Sequence, residues 1–303
     1  MVGTRPQGDR MSGSIIIGGT YFTDERINMI QGWFGADVTT VSWNDVDCGQ
    51  YPQLGDWVFV LGIKQWVRRL KKARYTYPQI AKKVVSYIEG LGRPYGLLDD
   101  CNLDDERGIG DRLRMDLRPV ICLLREYLEH VEYPSWVHPF SIPSPDLSQY
   151  KSAGVPISFC GAKSHPSRQH WIGQIREVAP EGSIFKLYKE GGKGKLPREE
   201  YLSLIGESKV SLSFQGNGYC CFRYQEIPAV GSCLASPTTP HVVRNDYVNG
   251  KHCIKFDTPN DILKKMDAAE DIAAAGHEHF LKYHTSEVRY NELAGYIDEV
   301  RRH

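Results

Sequence analysis

The chain has 303 residues, 41% of them hydrophobic and 24% charged, enough apolar mass for two modest domains or one large one and too much for a disordered or fibrous protein. Lys plus Arg and Asp plus Glu both total 37, so the formal net charge is zero and a polyanionic partner would have to be held by a local patch. No run of about 18 apolar residues occurs, and the polar start around Arg5, Pro6 and Arg10 lacks the apolar core of a secretory signal, so a cytoplasmic protein without a membrane anchor is expected.

Residues 1–13 read as a flexible leader. The apolar run Ser14-Ile15-Ile16-Ile17 stops on Gly18 and Gly19 and reads as a strand, followed by a helical stretch over 24–34. Residues 38–43 and 57–62 are short and continuously apolar, as strands covered on both faces are. A basic helical segment covers 64–74, and 80–91 carries apolar positions at helical spacing. Residues 94–98 form a strand running into Asp99 and Asp100; a helix is expected over 117–130 and a strand over 136–139. Pro139, Pro143, Pro145 and Pro156 then punctuate a Ser- and Asp-rich stretch that reads as an extended connector. A second alternating series follows, with strands at 157–160, 184–188, 209–214, 232–236 and 252–256 and helices at 168–178, 197–205, 222–230 and beyond 259. The pattern predicts an α/β protein of two Rossmann-like domains, 14–145 and 157–280, joined by a linker at 146–156, with 281–303 as a C-terminal helix packing back on the first domain.

Six of the eight cysteines are scattered singly and no CxxC pair occurs; only Cys220 and Cys221 adjoin, a poor arrangement for a tetrahedral metal. Reduced, mostly buried thiols and no metal site are expected.

The informative stretch runs from Val210 to Gly231: a strand, the turn Gln215-Gly216-Asn217-Gly218-Tyr219-Cys220-Cys221, then the helix Phe222-Arg223-Tyr224-Gln225-Glu226. A glycine turn entering a helix exposes backbone amides at the positive end of the helix dipole, which suits a diphosphate. Arg223 and Glu226, three apart, share a helix face, one suited to phosphate and the other to ribose hydroxyls. On spacing alone the turn is equally well a structural one.

The phrase Phe222-Arg223-Tyr224-Gln225-Glu226 with Ala229 and Gly231, and then Asp246-Tyr247-Val248-Asn249-Gly250-Lys251-His252-Cys253-Ile254, resembles the donor half of GT-B glycosyltransferases. The likeness is greatest to the glycosyl transferase group 1 and exostosin-like branches, spore-maturation-type enzymes included. It implies a GT-B fold, with parallel sheets facing across a cleft, and a UDP-sugar or similar donor as co-substrate without a further cofactor. It also implies that Gly216, Gly218, Tyr219 and Cys220 line the diphosphate, Arg223 contacts phosphate and Glu226 binds ribose. Many relatives carry an acid eight positions before that Glu; here the position is Gly218, so the paired-acid signature is incomplete. Lys163 and Arg168, in the basic loop Gly161-Ala162-Lys163-Ser164-His165-Pro166-Ser167-Arg168, occupy a place where relatives bind phosphate, with an ordinary solvated loop as the alternative.

The first domain would then receive the acceptor. Asp99 or Asp100, after a strand, is a candidate base, with a turn acid as the alternative. Lys64, Trp66, Arg68, Lys71, Lys72 and Arg74 form a cationic, aromatic stretch able to grip DNA, or else one solvated amphipathic helix. Phage-type DNA glycosyltransferases, which act on hydroxymethylated pyrimidines, share the GT-B fold, so DNA is a candidate partner. A glycan or small-molecule acceptor, or a non-catalytic nucleotide-sugar-binding module, is the alternative. A dinucleotide oxidoreductase has only Ile17-Gly18-Gly19-Thr20 to support it, without the full GxGxxG pattern.

Overall fold

The computed structural model of the chain describes residues 13–18, 37–41, 43–54, 57–61, 66, 70–92, 95–99, 121–124, 127–133, 135–141, 143–189, 194–216, 218–219, 221–289 and 291–292. The expected helix over 24–34 lies outside them.

Two parallel sheets organise the chain. The first contains β1 (Gly13–Gly18), β2 (Asp37–Val41), β3 (Trp57–Leu61), β4 (Tyr95–Asp99), β5 (Ile121–Leu124) and β6 (Val137–Pro139), in the order β2-β1-β3-β4-β5-β6. The second contains β7 (Val155–Ala162), β8 (Ile184–Tyr188), β9 (Ser208–Leu212), β10 (Cys233–Pro237) and β11 (Ile254–Phe256), in the order β11-β10-β9-β7-β8. Counted from its own first strand, the second sheet repeats the first: the opening strand lies between the second and the third.

The helix expected over 117–130 is corrected by β5, which pairs in parallel with β4 and β6. Four consecutive apolar residues, Ile121 to Leu124, suit a strand covered on both faces, whereas a helix would turn part of that run to solvent. A short helix, α1 (Trp43–Cys48), follows β2 where none was expected.

Helix α2 (Tyr77–Gly90) begins at Thr76, whose backbone amide donates to the Gln79 side chain at 2.8 Å, with Pro78 in the first turn, where a missing N–H does no harm. Its buried face carries Ile80, Val84, Tyr87 and Ile88, which join Val58, Val60, Trp66 and Leu97 in the core beside the first sheet. Each such aliphatic chain contributes about 1.5–3 kcal/mol on burial.

In the second sheet β7 is buried along both faces, as expected of a central strand. Around the sheet lie α3 (Pro166–Val178), α4 (Arg198–Glu207), α5 (Arg223–Val230), α6 (Pro259–Leu263) and α7 (Ala269–Tyr283). Helix α5 stops at Gly231, whose φ of 84° is the left-handed conformation that glycine adopts without strain. Among the described residues no helix is long and apolar enough to cross a membrane.

The two sheets meet at their carboxyl ends. After β5 and after β10, residues 127–129 and 240–242 form a short antiparallel bridge, with Val242 donating its amide to Tyr127 at 2.9 Å and Glu129 donating to Pro240 at 3.0 Å. The stretch between the sheets lies against the second unit: Leu147 donates to Ala229 O, and Ser152 to Gly206 O, both at 3.1 Å. Beyond α7, Arg289 Nη2 donates to Ser141 Oγ at 2.8 Å, bringing the C-terminal segment onto the chain that leaves β6.

Candidate active site

In an open parallel sheet, ligands bind beyond the carboxyl ends of the strands where the strand order reverses. In the second sheet that point lies between β7 and β9, whose exits lead to α3 and to the glycine turn before α5. Arg168, on the first turn of α3 and 4% exposed, spans it. Its Nη1 donates to Ala162 O at 2.9 Å, its Nε to Gln215 O at 2.8 Å and its Nη2 to Phe214 O at 3.3 Å, with Cys221 Sγ also 3.3 Å from Nη2. One side chain thus ties the end of β7 to the start of the glycine turn. Burial, with the nearby Arg223 charge adding to it, brings the Arg168 pKa down to about 10, so the group stays cationic near neutrality.

Gly216 owes its place to that guanidinium. A Cβ there would sit 2.3 Å from Arg168 Nη2. The Gly216 amide donates to Gly218 O at 2.9 Å and so shapes the turn from within. His165 caps α3, its Nδ1 accepting from the Ser167 amide at 3.2 Å, while Lys163 is exposed in the turn between β7 and α3.

Helix α5 supplies the second cation and a carboxylate. Arg223 Nη1 donates to Cys160 O at 3.1 Å and its guanidinium lies 5.0 Å from the Phe159 ring centroid, while its buried Nε has no acceptor among the described residues. Burial opposes the Arg223 charge, but Tyr201, Cys221 and Glu226 outweigh it and hold its pKa above the ordinary guanidinium value. Glu226 is 5% exposed and both its oxygens are engaged: Oε1 accepts from Arg198 Nη1 and Oε2 from the Tyr201 hydroxyl, each at 2.5 Å. Burial first, then the Glu226 charge, pushes the Tyr201 phenol well above its usual pKa and keeps it a donor. Behind this face Tyr224 donates to Asp246 at 2.6 Å and accepts from Lys255, and Tyr247 donates to Gln225 Oε1 at 2.7 Å.

The structure therefore gathers Arg168, Gly216, Gly218, Arg223 and Glu226 at one switch point. Tyr219, in the same turn, stacks against His241 of the inter-sheet bridge with ring centroids 6.3 Å apart. Cys220 lies outside the described residues. Arg198 and Tyr201 were missed, because an Arg and a Tyr three apart at the start of a helix carry no motif. The legible signal was only that this helix precedes the strand leading into the turn.

In the first sheet, Asp99 closes β4 at its carboxyl end, opposite Leu124 of β5; its side chain, and Asp100, lie outside the described residues. So do Lys64 and Arg68. Lys71, Lys72 and Arg74 are exposed. Trp66 is a correction: it is fully buried, its indole donates to Val41 O at 3.1 Å, and its ring packs edge-on to Tyr87, so it is a core residue rather than a stacking platform. At the helical spacing of this segment Trp66 and Leu70 share the inward face, and burying an indole is favourable once its N–H finds a carbonyl. A separate groove of about 470 Å³ between α1 and α2, lined by Tyr51, Tyr75 and Lys82 among others, borders no residue of the candidate site.

Residues 165–295 match a family model described as glycosyl transferase-like. Anabaena HepE, solved with UDP and glucose, superposes with a TM-score of 0.64 at 8% identity over 95% of this chain and 100% of its own. A sucrose-phosphate synthase from Thermosynechococcus elongatus gives a TM-score of 0.57 at 8% identity, over 96% of this chain and 99% of its own. An α1,3-fucosyltransferase gives 0.51 at 9% identity, over 99% and 93%. No curated protein matches by sequence. The fold is GT-B, and fold and matched segment together define the class as a glycosyltransferase.

Proposed function

We propose that the protein moves a hexose, glucose being the first to test, from a UDP-sugar to a hydroxyl acceptor, with retention and without a metal. The observation that carries this reading is that one helix, α5, brings both Arg223 and Glu226 to the switch point, beside a glycine turn braced by Arg168. Arg223, with most of its donors uncommitted among the described residues, takes the diphosphate together with Lys163 and the amides of the turn. Glu226 accepts the ribose hydroxyls. Arg168, whose hydrogen bonds run to backbone carbonyls, acts by holding the turn in shape.

The acceptor enters from the first sheet, across the bridge formed by residues 127–129 and 240–242. In a same-face transfer the bond from the anomeric carbon to the β-phosphate oxygen breaks, the acceptor oxygen bonds to that carbon, and its proton passes to the departing phosphate. Gly218, standing where many relatives carry an acid, leaves that step to the phosphate itself. For an inverting reaction the candidate base is Asp99 or Asp100. With Trp66 buried, the cationic edge of Lys71, Lys72 and Arg74 loses one of its expected stacking groups; this favours a glycan or small-molecule acceptor and leaves hydroxymethylated DNA as the acceptor to exclude.

The test is UDP release from UDP-glucose and other nucleotide sugars, with and without hydroxymethylated duplex DNA, with product mass read in parallel. Slow UDP release and tight UDP binding are expected. DNA-dependent release with a hexose-sized mass gain would select DNA, and no binding of any nucleotide sugar would overturn the reading.

A further inference from the structure

Glu226 is 5% exposed, and a buried carboxylate is normally costly unless its charge is met. Among the described residues its hydrogen bonds come from one side only, while the Arg223 charge bears on it without a direct bond. Arg198 and Tyr201 both belong to the first turns of α4, three residues apart on one face, and the guanidinium lies 5.5 Å from the Tyr201 ring centroid, so each helps fix the other. Between them they take one lone pair on each Glu226 oxygen. A carboxylate has about four acceptor positions, which leaves one on each oxygen, in the plane set by the two donors. The terminal torsion of a Glu is otherwise broad, so an unrestrained carboxylate would present no fixed pair of acceptors.

We propose that Arg198 and Tyr201 are positioning residues that fix the Glu226 carboxylate for a cis-diol, and thereby restrict the donor to nucleotides with an intact ribose. The proposal rests on the ribose-binding reading of Glu226. A ribonucleoside diphosphate satisfies both remaining lone pairs, whereas a 2′-deoxyribonucleotide leaves one buried and unpaired, and a site built to bond a hydroxyl rejects the analogue that lacks it. The raised Tyr201 pKa keeps the phenol an O–H donor throughout the working pH range.

The test compares the affinity of UDP with that of 2′-deoxy-UDP by calorimetry, in the wild type and in the Tyr201→Phe, Arg198→Met, Arg198→Lys and Glu226→Gln variants, with circular dichroism melts as the check of folding. The wild type should prefer UDP by tenfold or more; Tyr201→Phe and Arg198→Met should bring the ratio towards one, and Arg198→Lys should recover part of it. A ratio unchanged in both Tyr201→Phe and Arg198→Met, or equal weakening of both nucleotides, overturns the proposal. Should Tyr201→Phe fail to fold, Arg198→Met decides alone, its partly exposed side chain being tolerant of replacement. If Glu226→Gln itself leaves UDP binding unchanged, the ribose reading of Glu226 falls. If Glu226→Gln weakens UDP while the α4 variants keep the wild-type ratio, only the positioning role falls.

Discussion

Both sheets run their opening strand between the second and third, and in both a residue on a following helix reaches a carbonyl at a strand's carboxyl end. In the first sheet that residue is Trp66, whose neutral indole donates once, to Val41 O. In the second it is Arg168, whose guanidinium donates to three carbonyls across the switch point. An indole closes the core. A buried guanidinium leaves a positive charge beside the crevice and holds a glycine turn open to it, with Arg223 adding a second charge from α5. On the proposed reading the same topology serves packing in one half and anion binding in the other, and the difference lies in the chemistry of the donor.

The contrast is broken most sharply by truncation. Trp66→Ala should destabilise the protein by about 3–5 kcal/mol in urea unfolding, through the lost transfer energy and the cavity, yet leave UDP affinity within twofold while the fold holds. Arg168→Met should cost about 3 kcal/mol, because the carbonyls of Ala162, Phe214 and Gln215 lose their donor, and it should abolish UDP binding as well. Equal loss of binding in the two variants would show that the halves are not separable in this way.

Gly216→Ala sharpens the point. Its methyl would meet Arg168 Nη2 at 2.3 Å, so UDP affinity should fall at least tenfold with a stability loss of about 1–2 kcal/mol. A fully active variant would mean that the turn is not held by Arg168.

A smaller effect concerns pH and belongs to the second half alone. His284 is fully buried, its Nδ1 accepting from Arg289 and its Nε2 bonded to Asn245 O at 2.9 Å; burial first, then the Arg289 charge, holds its pKa well below 6.5. The unfolded chain therefore binds a proton at His284 that the folded chain refuses, so stability is full above about pH 6.5 and falls as pH drops below it. The urea midpoint should decrease from pH 7.5 to pH 5.5, and His284→Asn should flatten that slope; an unchanged slope would remove His284 as the cause. Smallest of all, replacing Lys71, Lys72 and Arg74 together by Ala should change stability by less than about 0.5 kcal/mol, since all three are exposed, and should alter activity only with a polyanionic acceptor. Loss of activity towards a neutral sugar acceptor would contradict that.

Much of the second half was legible in the sequence. The strand at 184–188 matches β8, and the glycine turn, Arg223 and Glu226 were found as one phrase because turn, dipole and ligand chemistry all act within about a dozen residues. The first half was less so. Residues 117–130 read as a helix because a short apolar run has no period of its own, and only pairing with β4 and β6 makes 121–124 a strand. Trp66 reads as part of a cationic, aromatic stretch or of an amphipathic helix, and its spacing from Leu70 alone favours the second, with both on one face.

What the sequence determined by itself was local: the alternation of strand and helix, and the glycine turn running into the helix that carries Arg223 and Glu226, since each depends on neighbours in the chain. The tertiary structure decided which donors those groups meet. Arg168 lies 47 residues from Gln215, and Arg198 lies 28 from Glu226, so hydrogen-bond partners over such separations are fixed by the packing of α3 and α4 against the sheet and by nothing in the adjacent residues. Hence Arg168 turned to the backbone rather than outward, and Glu226 acquired the two partners that set its plane.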